Sequence, residues 1–478
     1  MSSKGQSNAK TALAYTIAGR IFQIGVGLGT LKVQTHYLSK EDVGEYGLFL
    51  NIATLLVFVT FRPLNQYFNR RLHEWFESGN LPPALKRLIG IQFILALASV
   101  PVIALSARIA AIHTATPIYA WAIVWACWYF FNSVFNTVIP AFNLLGLKKR
   151  WVVHNSAGLA LGLAIAWVAA LFKPDAFYWT AALALGFLFS SIIASADLFG
   201  IARNVHCGSK PLGKVAPWGF LVPATLAIAG TWIQFQSFRL FIVDFMPLAE
   251  YGLFTAGYGL AAGLMAAFEG LAAQYLLPFF YAGLGDRADG TLAGKQWGAF
   301  AGTMITLTSA TCLIAFAYGP LLCNFLLSNA FQNAWPYFFL GIFMEGTRVI
   351  SGTTALGTHV TMQVHHSLRS YLVGIFAITA GFLLGHLLGS IATFTVVVVT
   401  GCIIHLVILT RDVSRHLNIP IQLPSLRYLM ALLPVAAGSV LCVILGFSIV
   451  AQGILIALAT VFYLLLLLDV NSEFSLVQ

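Results

Sequence analysis

The chain has 478 residues, of which 59% are hydrophobic and only 9% charged, with a mean hydropathy of +0.85 and a formal net charge of +10. A soluble domain carries roughly a quarter charged residues, so this composition excludes a water-soluble globular enzyme and leaves a chain whose surface is mostly covered by lipid. Its cations are spread over many short intervals rather than gathered on one face, which excludes nucleic acid as a partner.

A spanning helix needs about 20 mostly apolar residues, and about fourteen windows reach that length. They open near Thr11, Val43, Leu88, Pro117, Trp151, Phe177, Val215, Ala249, Trp297, Trp335, Leu368, Ile391, Tyr428 and Gly453. The predicted fold is all-α and polytopic. The first window carries Arg20 within it and lacks a cleavage-site pattern, so it reads as a spanning helix and not as a signal peptide. No charge marks the boundary between the two runs around Ser390.

The loops after the even-numbered windows hold Arg70, Arg71, Lys86 and Arg87, then Lys148, Lys149 and Arg150, then Arg203, Lys210 and Lys214, and then Arg411, Arg415 and Arg427. The opposite loops hold few cations: Lys32, Lys40, Arg108, Lys173 and Arg239. The excess of positive charge on one side predicts that both termini face the cytoplasm. All polar intervals are too short to fold as separate domains. A membrane polymerase or ligase would need a large catalytic loop, so the chain reads as a non-enzyme.

A repeat divides the chain. Glu45-Tyr46-Gly47-Leu48-Phe49 opens the second window and Glu250-Tyr251-Gly252-Leu253-Phe254 opens the eighth, and the helices that follow end in Gln66-Tyr67 and Gln274-Tyr275. Its placement predicts two six-helix lobes, residues 1–205 and 206–415, related by a pseudo-two-fold axis, with two additional helices at 416–478. Parallel repeats of this kind are a known transporter design, with the substrate site at the repeat interface.

The segment Tyr37-Leu-Ser-Lys-Glu-Asp-Val-Gly-Glu-Tyr-Gly-Leu-Phe49, the segment Arg62-Pro63-Leu64-Asn65-Gln66-Tyr67 and the 6+6+2 helix plan resemble the multidrug/oligosaccharidyl-lipid/polysaccharide (MOP) exporter superfamily. Within it, the chain most resembles the Wzx-type polysaccharide flippases. The resemblance implies a V-shaped pair of lobes with alternating access, in a bacterial cytoplasmic (inner) membrane. It also implies that an undecaprenyl-diphosphate-linked oligosaccharide moves to the outer leaflet for surface polysaccharide synthesis. The partners are then the lipid-linked oligosaccharide, membrane lipids, and a polysaccharide polymerase or other assembly proteins. Flippases of this kind use cavity arginines on the first, second and eighth helices. Arg20 and Arg62 match the first two, whereas the eighth helix offers Glu269, a departure that puts an identical diphosphate clamp in doubt.

The residues themselves give a parallel reading. A charge at membrane depth is costly, about 2.5 kcal/mol or more, and faces a wet cavity or a partner. Arg20, Gln23, Gly27, Thr30 and Gln34 share one face of the first helix. Asn51, Thr54, Arg62, Asn65 and Asn69 form a stripe on the second. Two arginine-bearing polar faces suit an anion, because guanidinium matches phosphate in bidentate geometry. Arg62 has two open readings, lining the lumen or snorkelling to the interface. Arg239 ends a helix with Trp232 and Gln236 on the same side. The candidate contacts for an anionic headgroup are therefore Arg20, Arg62, Arg239, Arg348, Gln23, Asn65 and Gln66. Glu345 and Arg348 stand one turn apart and either neutralise each other or form a gate. Glu269, with Thr255 and Tyr258 on a similar face, either couples transport to a proton or sodium ion or makes a structural hydrogen bond. Asp197 reads as an interface residue.

Other signals are weaker. Trp121, Trp125, Trp128 and Phe135 line one helix, and interhelix or lipid packing outweighs a sugar path. Gly208-Ser-Lys-Pro-Leu-Gly213-Lys214 spells most of a phosphate-binding loop, but Val215 replaces its hydroxyl residue and no strand precedes it. His359, His365 and His366 lack Cys or carboxylate partners, so no metal site is read. The six cysteines form no CxxC pair and no disulfide framework. No cofactor is expected beyond a coupling ion. The competing readings are a cation-coupled multidrug exporter of the same superfamily, a polysaccharide ligase or polymerase, and a non-transporting partner in a secretion complex.

Overall fold

The computed structural model describes residues 3–109, 116–204, 217–282, 290–360, 368–417, 426–445 and 449–477. Among these residues no strand occurs. In lipid the backbone must satisfy its own hydrogen bonds, and a helix does so within one segment. In chain order the elements begin with α1 (Ser3–Tyr37), α2 (Lys40–Leu56), a π-helical turn (Val57–Phe61), α3 (Arg62–Glu77), α4 (Leu81–Ile109) and α5 (Ile118–Leu144). There follow α6 (Lys148–Phe172), α7 (Ala176–Arg203), α8 (Trp218–Gln236) and the short α9 (Phe238–Phe241), and then α10 (Leu248–Ala282), α11 (Gly290–Leu326) and α12 (Trp335–Ala355). The last are the short α13 (Gly357–Val360), α14 (Leu368–Leu388), α15 (Ile391–Leu417), α16 (Leu426–Ile444) and α17 (Ile449–Val477).

Ten helices among the described residues are long and apolar enough to cross a membrane, with α2, the π-turn and α3 forming one 38-residue span, Lys40–Glu77. Helices α1, α12, α16 and α17 fall outside those ten and stand at the remaining predicted windows. Large apolar side chains point outward, as with Phe376 at 74% and Leu387 at 79% exposure. Patches of that kind are rare on soluble monomers. The chain is a multi-pass membrane protein.

The contacts divide the chain into two compact units, Met1–Leu240 with Leu248–Gly252, and Phe241–Pro247 with Leu253–Gln478. In the first unit, Ser39 and Asp42 form a reciprocal capping box at the start of α2. Asp42 also accepts from the backbone N–H of Ala176 at 3.3 Å, tying this cap to the first turn of α7. Helices α1 and α6 run side by side in register, with Gly19 against Val152, Gly29 against Leu163, and the Trp167 indole donating to the Tyr37 hydroxyl at 3.2 Å. The aromatic stripe of α5 is core: Trp121, Trp125, Trp128 and Phe135 are all buried, and Phe49 of α2 stacks on Trp121 at 4.6 Å. Burial on this scale leaves no face for a sugar.

The repeated pentapeptide has a packing role. A Cβ at Gly252 would collide with the Lys40 carbonyl oxygen, so the first turn of α10 crosses α2 backbone to backbone. The preceding Tyr251 is fully buried; its hydroxyl accepts from Asn51 Nδ2 at 2.9 Å and donates to the Arg239 carbonyl at 3.0 Å. Small residues that let backbones meet, with polar side chains joining neighbouring helices, are the usual means of helix association in lipid.

In the second unit α16 and α17 pack on α11. Leu432 and Leu466 meet Ala310 and Ala317 in one buried cluster, and the Ser439 hydroxyl donates to the Ala317 carbonyl at 2.8 Å. Arg427 and Asp469 join α16 to α17 at 2.8 Å. The turn between α14 and α15 is a helix stop built on Gly389, whose φ is +58°. The Ser390 N–H reaches back to the Gly385 carbonyl at 2.9 Å and the Gly389 N–H to the His386 carbonyl at 3.3 Å. Ser390 then caps α15 by accepting from the Thr393 N–H at 3.2 Å.

Candidate functional site

Two polar constellations stand out, one in each unit. In the first, Arg20 of α1 is half-buried with its guanidinium 5.1 Å from the centre of the Trp151 ring. Its Nη1 donates to Gln23 Oε1 at 3.3 Å, so the predicted Gln23 holds it one turn along the same face. Trp151 lies in the first turn of α6, directly after Lys148, Lys149 and Arg150. The 35 residues of α1 extend about 52 Å, far beyond a hydrocarbon core of about 30 Å. The middle of this helix is therefore not the middle of a membrane. Arg20 lies about 26 Å along α1 from its end at Tyr37, level with the basic end of α6.

Arg62 is exposed, its guanidinium 3.7 Å from the centre of the Phe58 ring. It stands about 33 Å along the span from Lys40, and Gln66 is exposed one turn further on. The rest of the predicted stripe turns elsewhere. The Thr137 hydroxyl of α5 bonds Asn65 Oδ1 at 2.7 Å and accepts from Gln92 of α4 at 2.8 Å. Asn65 is thus part of a polar relay through three packed helices. Asn51 is committed to Tyr251. Arg239, half-buried in α9, takes part in the same network through its backbone carbonyl.

What divides the stripe is the π-turn. The Arg62 N–H reaches the Val57 carbonyl, five residues back. Pro63 supplies no N–H, and its ring crowds the carbonyl four residues earlier, that of Val59. That carbonyl accepts instead from the Thr225 hydroxyl of α8 at 3.2 Å. Thr60 donates to the Leu56 carbonyl at 2.7 Å and bonds the Tyr129 hydroxyl, while the Tyr129 ring stacks on Phe61 at 4.1 Å.

In the second unit Arg348 of α12 joins two carboxylates. Its Nε donates to Glu345 and its Nη2 to Glu269 of α10, each at 2.7 Å. Tyr258 donates to the other oxygen of Glu345 at 2.8 Å. Side-chain exposure rises along the cluster, from 5% for Glu345 to 25% for Arg348 and 38% for Glu269. The predicted Glu345–Arg348 pair exists, and it is part of a larger unit of two carboxylates and one guanidinium. The charge balance and the exposed end both belong to Glu269.

Some polar features are clips at helix ends. Asp197 pairs with Arg150 and bonds His154 at 2.9 Å, joining α6 to α7. His386 lies 3.8 Å from Asp244, and His405 is fully buried with its ring 5.3 Å from that of Tyr371. Among the described residues no three His, Cys, Asp or Glu side chains converge as metal ligands. The segment Gly208–Lys214 and the side chains of His359, His365 and His366 lie outside the described residues.

No family model and no curated protein matches the sequence. Solved structures do match. An inward-facing multidrug resistance MATE family transporter of the MOP superfamily aligns with a TM-score of 0.61 at 12% identity, over 83% of this chain and 94% of that one. The lipid II flippase MurJ, in an inward closed conformation, aligns with a TM-score of 0.58 at 10% identity, over 98% of this chain and 100% of that one. A MOP superfamily transporter from Pyrococcus furiosus, whose binding pocket of reverse polarity suggests a different function, aligns with a TM-score of 0.53 at 11% identity, over 86% and 96%. At such identities the fold is what is shared. The chain has the fold of the MOP superfamily transporters.

Proposed function

We propose that the protein is a flippase that carries a lipid-linked oligosaccharide across the bacterial cytoplasmic membrane by alternating access between two six-helix lobes, residues 1–205 and 206–415. The observation that carries the reading is the pair of aromatic-backed arginines in the first unit, Arg20 over Trp151 and Arg62 over Phe58. A ring behind the guanidinium holds its plane, and a planar guanidinium can take a phosphate in two parallel hydrogen bonds. Both arginines stand about 26–33 Å along their helices from the α1–α2 turn, near the far edge of a hydrocarbon core of about 30 Å. By the distribution of loop charge this is the cytoplasmic side, where a diphosphate-linked sugar is made available. Gln66 adds a neutral donor one turn beyond Arg62, and Arg239 and Arg348 are further candidate contacts. The alignment of 98% of this chain with the whole lipid II flippase supports a lipid-linked substrate. Energy comes from an ion or from the membrane potential, and Glu269, the exposed end of its cluster, is the coupling carboxylate.

The test is transport by purified protein in liposomes. Arg20→Ala and Arg62→Ala each lower transport by about tenfold or more, the loss of a charge-assisted hydrogen bond, with unchanged yield of folded protein. Full transport by the double variant would remove the anion site.

One observation favours a second reading, a cation-coupled multidrug exporter. The cluster in the second unit holds two carboxylates to one guanidinium, which suits a cationic ligand. Drug resistance conferred on a sensitive strain, and lost with Glu269→Gln, would put that reading first.

A further inference from the structure

The π-turn between α2 and α3 sets the direction of the arginine that follows it. Asn51 and Arg62 are eleven residues apart, so an unbroken α-helix at about 100° per residue would place them within about 20° of one another. Asn51 is 6% exposed and bonded to Tyr251 in the packed interior. An unbroken helix would therefore drive the Arg62 guanidinium into that interior. One extra residue in the turn rotates everything beyond it by about 100°. The buried face of α3 then falls on Leu64, Phe68, Leu72 and Trp75, while Arg62 and Gln66 are exposed.

A π-turn is rare and occurs as a single-turn bulge inside an α-helix, where the backbone groups it displaces need other partners. Here the support comes from two other helices. Pro63 prevents the normal bond to the Val59 carbonyl, and Thr225 of α8 fills that place. Tyr129 of α5 bonds Thr60 and stacks on Phe61. Phe58, which lies within the turn, is also the ring beneath the Arg62 guanidinium.

We propose that the Val57–Phe61 turn, latched by the Thr225 hydroxyl on the Val59 carbonyl, is the positioning device that presents Arg62 and Gln66 to the anionic group of the substrate. Thr225 and Pro63 act through Arg62 and touch no substrate. The proposal rests on the anion-site reading of Arg62.

Two measurements test it. The first is calorimetric binding of farnesyl diphosphate, as a prenyl diphosphate probe, to the detergent-solubilised full chain. Thr225→Val keeps the shape and loses the hydroxyl, and weakens Kd by about two- to tenfold, the span of one hydrogen bond. Thr225→Ser keeps the hydroxyl and binds as the parent does, which a purely packing role for the side chain would not give. The second needs no ligand. Gln66→Cys, in a chain with its native cysteines replaced by serine, reacts quickly with a charged thiol reagent. Pro63→Ala with Thr225→Val in that chain removes what holds the turn, so the helix returns to α-register with its residue count unchanged and labelling slows by about tenfold or more, because residue 66 turns inward by about 100°. Thr225→Val with parent affinity, while Arg62→Ala no longer binds the probe, would overturn the positioning role alone. Equal labelling with and without the Pro63 and Thr225 changes in folded protein would also overturn it. Parent affinity in Arg62→Ala would overturn the anion-site reading, and the positioning role with it.

Discussion

Arg348 holds two carboxylates, and without it Glu345 would remain at 5% exposure with no cation opposite. Breaking a buried pair on one side costs about 3–5 kcal/mol, because the remaining charge is left uncompensated. Arg348→Met is therefore expected to lower the melting temperature of the purified protein markedly, and adding Glu345→Gln to recover most of the loss. Melting of Arg348→Met like the parent would show that the cluster contributes no net stability. At this scale the sequence was partly legible. The Glu345–Arg348 pair could be read from its spacing along one helix turn. Glu269 and Tyr258 could not be assigned to it, since they come from another helix, and only packing decides which faces meet. The stripe on the second helix was legible as polar residues at helical spacing, but the spacing assumed an unbroken α-helix. With the π-turn inserted, Asn51 and Asn65 join buried relays while Arg62 and Gln66 point outward.

Among the elements, the repeated Glu-Tyr-Gly-Leu-Phe segment shows how a sequence echo becomes a structural constraint. In its second copy Gly252 lies where any side chain would strike the Lys40 carbonyl oxygen. Backbone cannot yield as a flexible side chain can, so Gly252→Ala is expected to cost about 1–3 kcal/mol or more. Gly259, two turns further along α10, would meet nothing within 4 Å. Gly259→Ala should be neutral or gain up to about 1 kcal/mol from helix propensity. Thermal unfolding of the two variants side by side checks the contrast, and equal stability would show that the crossing relaxes. Part of the Tyr37–Phe49 segment has the same character: Ser39 and Asp42 cap α2, and Asp42 reaches α7. The boundary at Ser390 was unmarked by charge, but Gly389 and Ser390 carry it as a helix stop followed by a cap. The signal was in the sequence, in backbone chemistry rather than in hydropathy.

For the whole molecule, the fold is one shared by a multidrug resistance MATE family transporter and by the lipid II flippase MurJ. The two readings differ in what accumulates when the protein is removed. On the flippase reading, depleting it in its host raises lipid-linked oligosaccharide and abolishes surface polymer, with the sugar inaccessible to labelling from outside. If oligosaccharide-lipid and surface polymer both stay constant, the drug-exporter reading takes precedence.

Hydropathy and loop charge alone determined the number, order and approximate ends of the long helices, because lipid permits little besides helices of a set length. They also determined that the chain belongs in a membrane. The tertiary structure decided which polar residues are packing and which are available for binding. Burial turned the Trp121, Trp125 and Trp128 stripe into core. A π-turn, fixed by Thr225 and Tyr129 from helices distant in sequence, turned Arg62 away from the interior. The direction of a side chain depends on every residue of helical phase before it and on every neighbour that holds that phase, and neither can be counted from composition or spacing.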